Sequence, residues 1–164
     1  MRPRQPKDPR QTHTWYLDEP RGETYRQLLR FAVGRVDRAT LCPLSTINPR
    51  CMHAINRLAP HQTGGPAPSA VVTDSESRRK RYVYRFDSGL ANKLSELADG
   101  VFDWDFPDRP ADLALMSGAD DWLVSVAHER MCFITTTKEE LRALCSAVPS
   151  LRVESGPGYR GVRR

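Results

Sequence analysis

A chain of 164 residues has room for one ordinary domain with its own core, and a 39% apolar content is modest but globular. No apolar stretch approaches the roughly 18 residues that cross a bilayer, and the basic, proline-rich start has no apolar run after it, so neither a membrane partner nor a secretory signal is expected. The net charge of +5 suggests nucleic acid until it is located: residues 1–10 and 151–164 each carry four cations and one anion, which leaves residues 11–150 at −1.

Residues 1–13, with Pro3, Pro6 and Pro9 among charges, read as a disordered basic tail, and residues 14–150 as a single domain. Tyr25, Leu28, Leu29, Ala32, Val33 and Val36 form one apolar stripe at helical spacing, which predicts a helix over 23–36. A short strand at 39–42 follows. Asn48 before Pro49 is a helix start, with an Asx cap and a proline whose missing N–H costs nothing at the first position, and Pro60 stops that helix.

Residues 60–69, rich in glycine and proline, predict a surface loop. Strands are expected at 70–73 and at 81–86, where Tyr82, Tyr84 and Phe86 alternate with Val83 and Arg85. Leu90, Leu94, Leu97 and Ala98 return to helical spacing, with Gly100 as a left-handed stop. Strands at 113–116, 122–127 and 131–135 come next. Thr137 and Glu140 then make a capping box that launches a last helix, and residues 151–164 read as a flexible basic tail. With strands clustered late and helices seldom between them, the pattern predicts an α+β fold: a mostly antiparallel sheet of about five strands, with three to four helices mainly on one face.

Several groups of residues are chemically suggestive. His128, Glu129 and Arg130 form the most polar spot in an apolar region, a possible general acid/base pair with an anion clamp; the ordinary alternative is a water-facing turn. Neighbours on a strand point to opposite faces, which argues against a proton path between His128 and Glu129. Cys42, Cys51 and His53, even with His61, lack the paired spacing of structural zinc, so no metal and no cofactor is expected. The four cysteines are few, irregularly spaced and mostly among apolar neighbours. They read as reduced thiols of a cytoplasmic protein, and neither Cys132 nor Cys145 sits in the electropositive setting of a nucleophile.

Arg78, Arg79, Lys80 and Arg81, running into aromatic residues, are the nucleic-acid candidates, where cations would grip phosphates and rings would stack on bases. Against them stands an acidic stretch, residues 99–121, with seven aspartates to one arginine. Within it Asp103, Trp104, Asp105 and Phe106 interleave carboxylates with rings, the composition of a protein interface. The ordinary alternative is a loop whose rings turn into the core while the aspartates stay wet.

The runs over residues 110–115, 122–129 and 15–24 resemble a set of small uncharacterised actinobacterial proteins, over residues 15–148. The resemblance implies no established activity and brings no catalytic residue with it. The late hairpin-then-helix layout is loosely similar to immunity-type binding proteins. The expectation is therefore a non-catalytic accessory protein with a protein partner. A small hydrolase using His128, Glu129 and Arg130 is the alternative, and nucleic-acid binding through residues 78–86 and the tails the third reading.

Overall fold

The computed structural model describes residues 11–43, 48–68, 70 and 80–154. The chain is α+β, with four α-helices and an antiparallel sheet among these residues. The strands are β1 (His13–Leu17), β2 (Arg38–Cys42), β3 (Gln62–Gly64), β4 (Tyr82–Arg85), β5 (Ala111–Ser117), β6 (Asp120–Val126), β7 (Met131–Thr136) and β8 (Val153–Glu154). They lie in the order β3-β4-β2-β5-β6-β7-β1-β8. The expectation of about five strands is corrected to eight. The three additions are β1, which apart from His13 lies in a stretch of the domain where no element was expected, β3, from the expected loop, and β8, from the expected C-terminal tail. β3 and β8 are only three and two residues long, while β1 carries Trp15, Tyr16 and Leu17; pairing decides their state, with β3 on β4, β1 on β7 and β8 on the outer edge of β1. The expected strand at 70–73 falls largely outside the described residues.

The helices are α1 (Gly22–Ala32), α2 (Pro49–Leu58), α3 (Ser88–Leu97) and α4 (Lys138–Ala147). Three are capped by side chains. Asn48 accepts from the Arg50 N–H, Asp87 from the Leu90 N–H, and Thr137 from the Glu140 N–H. The Leu90 bond is the main reason the Asp87 carboxyl lies below the usual carboxylate range. Only half of the expected capping box forms in the usual way. The Glu140 carboxylate instead accepts from Trp122 Nε1 (3.2 Å) and from the Thr136 hydroxyl, which ties α4 to β6 and β7.

The core joins one register face of the sheet to the buried sides of all four helices. Ala39 lies opposite both Tyr84 and Leu115, Leu115 opposite Leu123, and Leu123 opposite Ile134; all five are buried in the same cluster as Tyr25, Ile55, Leu94 and Leu144. Two irregularities shape it. Leu115 pairs with Leu123 but Met116 with Asp121, so Trp122 is an extra residue in β6. This bulge lets consecutive residues Trp122 and Leu123 both be buried, where simple alternation would expose one; the Trp122 ring stacks on Phe31 of α1 at 6.3 Å. In β5, Asp112 takes a left-handed φ of 58°. Its strain of about 1 kcal/mol is offset by three bonds. Its side chain accepts from the Ala127 N–H (3.0 Å), its carbonyl from Arg81 (2.5 Å), and its own N–H reaches the Trp104 carbonyl (3.1 Å).

Gly100 differs from its expected role. Its φ of −158° is extended, not left-handed. What demands glycine is proximity: a Cβ there would meet Arg21 Cγ and Glu19 Oε1, each at 2.8 Å.

Beneath this segment Trp104 is fully buried, and its Nε1–H donates to Tyr25 Oη at 2.8 Å. Burial pushes the Tyr25 hydroxyl pKa up, so it stays neutral and donates in turn to the Leu94 carbonyl (3.4 Å). Replacing Tyr25 by Phe orphans a buried indole N–H and is expected to cost about 1–3 kcal/mol in urea unfolding. The Asp87 cap predicts a pH signature. A carboxyl with a depressed folded pKa stabilises above its unfolded value and loses that contribution as pH falls through about 4 and below. Asp87→Ala is expected to cost about 1 kcal/mol at pH 7. Asp87→Asn keeps the cap, so it is expected to match the parent at pH 7 and to lose less stability than the parent at pH 3.

Candidate functional site

The acidic stretch at 99–121 does not form one loop. Its first part is a short 3-10 turn, Val101–Asp103, whose carboxylates face arginines from elsewhere in the chain. Arg21, just before α1, donates to Glu19 (2.8 Å) and Asp103 (3.0 Å), and Arg26 of α1 donates to Asp99 (3.1 Å). Glu19 is the hub. Only 11% of its side chain is exposed, and it accepts from Arg21, the Phe102 N–H (3.3 Å) and Arg130 (3.4 Å). These partners raise the Arg21 pKa, chiefly through the Asp103 bond. Asp103 also accepts from the Asp99 N–H at 2.9 Å, so it closes its own turn.

The four residues expected to make a protein-binding surface therefore separate. Trp104 lies in the core, Asp103 faces Arg21 and the turn, and Asp105 and Phe106 remain at the surface. Phe106 is 46% exposed, the one large apolar side chain left so open among the described residues. Its loop is held. Asp105 accepts from the Phe106 N–H through its side chain (2.8 Å) and from the Arg109 N–H through its carbonyl (3.1 Å).

His128, Glu129 and Arg130 lie on the connection between β6 and β7, a 3-10 turn (Ala127–Glu129) closed by Arg130 in the left-handed region. His128 and Glu129 approach to 3.6 Å because this is a turn, not the extended strand that would separate them. Both are open to solvent, at 64% and 52%. Arg130 is committed to Glu19 and lies 5.3 Å over the Phe102 ring, so it does not complete a group with them.

Arg78 and Arg79 lie outside the described residues. Lys80 is exposed, and Arg81 is partly buried on the Asp112 carbonyl. Tyr82, Tyr84 and Phe86 are all buried, so the rings beside this basic run are core and offer no stacking platform. Cys51 is buried in α2 while His53 on the same helix is exposed, and no group of three or more His, Cys, Asp or Glu converges among the described residues. The Cys132 thiol is pushed up to about 12, first by burial and then by Glu19, which keeps it protonated and inert. Burial also raises Cys51. No helix of the described residues is long and apolar enough to cross a membrane.

A concavity that sequence reasoning did not find lies between α2, the end of α3 and the 105–109 loop. It measures about 390 Å³ and is lined by Pro49, Arg50, His53, Ala54, Leu97, Asp108 and Arg109. Arg50 pairs with Asp108 at 3.3 Å. Arg109 is fixed by two carbonyls, Leu97 at 2.6 Å and Asp103 at 3.3 Å. Residues 50 and 108 meet across a long stretch of chain, and nothing local in the sequence signals the meeting.

Comparison of the chain with protein-family models, with curated proteins and with solved structures finds no significant match. The contrast between Glu19 and the His128 turn is directly measurable. Glu19→Ala removes the acceptor of the Phe102 N–H and of Arg130 and leaves Arg21 only its aspartate partners, and is expected to cost about 1–3 kcal/mol in urea unfolding. A His128→Ala/Glu129→Ala double variant, open to water on a turn, is expected to stay within about 0.5 kcal/mol of the parent.

Proposed function

We propose that this chain is a non-catalytic binding module that acts through a protein–protein interface centred on Phe106, with Asp105 at its rim. The carrying observation is an exposed aromatic side chain on a loop whose backbone is held on both sides. An exposed ring is costly to leave in water and cheap to order in a complex, because its loop is already in place. Trp104 and Asp103 support the surface from within: one anchors the loop to the core, the other ties the preceding turn to Arg21.

The acidic rim suits a partner of basic or mixed character, since Asp105 and Asp108 remain near the surface. A reducing, cytoplasmic setting agrees with four irregularly spaced cysteines, two of them buried as small apolar side chains. The loose layout analogy to immunity-type binding proteins points the same way, as a protein that works by occupying another protein. The hydrolase reading has only an open turn for His128 and Glu129, with Arg130 engaged elsewhere. The nucleic-acid reading lacks the rings it would stack with.

Phe106→Ala tests the proposal. The variant is expected to fold with stability within about 0.5 kcal/mol of the parent. In affinity purification from the native host it is expected to lose a partner that the parent and the His128→Ala/Glu129→Ala variant both retain. Retention of that partner by folded Phe106→Ala would overturn the assignment of this surface.

A further inference from the structure

We infer that the concavity between α2, the end of α3 and the 105–109 loop is a binding site for an oxyanion, the phosphate or carboxylate group of a ligand. Three side chains able to carry positive charge line it, Arg50, His53 and Arg109, against one carboxylate, Asp108. Arg50 and His53 are three residues apart in α2 and so share one side of the helix. The positive end of α2 lies at the same wall, with Pro49 as its first residue.

Arg109 makes the site more than a charged surface. Its guanidinium is held by the Leu97 and Asp103 carbonyls, and no carboxylate of the described residues pairs with it. Carbonyl bonds orient the group without neutralising it, so its charge stays available to a bidentate acceptor. The roughly 390 Å³ of space admits such a group and a small body attached to it. The apolar walls, Ala54, Leu97 and Pro49, would receive that body. Asp108 then acts as a resident counter-ion, which holds Arg50 at 3.3 Å until an anion takes its place. The group has two possible sources, a free small anion or an acidic side chain of another protein, and their chemistry at the site is the same. The inference goes beyond the Phe106 interface and is tested on isolated protein with no partner present, so the two fail separately.

The experiment is an amide NMR titration of the full chain with inorganic phosphate and, separately, with a short glutamate-rich peptide. Saturable shifts confined to residues 48–54 and 105–109 are expected with at least one probe at concentrations on the order of 10 mM or below. Phosphate alone would identify a free anion as the natural occupant, and the peptide alone a protein side chain. An Arg50→Gln/His53→Gln variant alters only side chains at the surface of α2 and is expected to fold. It should weaken binding by about threefold to tenfold. Asp108→Asn should strengthen binding by about threefold, because Arg50 loses its internal competitor. Absence of saturable shifts with either probe, or affinity unchanged in the double variant, would overturn the inference.

Discussion

The buried bond from Trp104 Nε1 to Tyr25 Oη governs how the surface of this protein is arranged. A buried indole N–H needs an acceptor, and Tyr25 of α1 supplies it at 2.8 Å. Once Trp104 is committed inward, its neighbours have few choices. Asp103 is turned toward Arg21, Phe106 is left at the surface, and Arg109 returns to the carbonyls of Leu97 and Asp103. The Asp112 N–H closes the segment on the Trp104 carbonyl, which joins it to the first residues of β5. One aromatic anchor thus places the proposed protein contact and one wall of the cleft together.

The electrostatics follow from the same arrangement. The stretch at 99–121 has a net charge of −6 as a string of residues, but Asp99 and Asp103 are matched in space by Arg26 and Arg21. Individually such exposed pairs contribute little. Around the mostly covered Glu19 they share partners, so each side chain is ordered once for several bonds. The field outside this surface is therefore weaker and more local than the linear sum implies. What remains open is the rim at Asp105, with Asp108 paired to Arg50.

Much of the fold was legible because local physics decides it. The stripe Tyr25, Leu28, Leu29, Ala32 is a helix in any context that offers it a core, and Asn48-Pro49 caps a helix wherever one follows. The strands carrying Tyr82 and Tyr84, Leu113 and Leu115, and Cys132 and Ile134 announce themselves by apolar content. The turn at Gly118, in the left-handed region, links β5 to β6 as its glycine suggests. Two ordinary expectations hold: the His128 segment is a turn, and the Trp104 ring turns into the core.

What the residues determined by themselves was the α+β class, the four helices, the strands β2, β4, β5, β6 and β7 and the near-neutral charge of the middle of the chain. Periodicity, caps and composition act over a few residues, and so can be read there. Only the tertiary structure decided that β1, β3 and β8 complete the sheet, that Trp122 sits on a bulge, that Trp104 points inward and Phe106 outward, and that Arg50, His53 and Arg109 share a cleft. Each of these depends on a partner far away in the chain: an open strand edge, the Tyr25 hydroxyl, or a carbonyl at the end of α3. No local pattern encodes such a partner. The expected interface at 103–106 shows the difference plainly, since its composition was visible in the sequence but the direction of each ring was set by what lay beneath it.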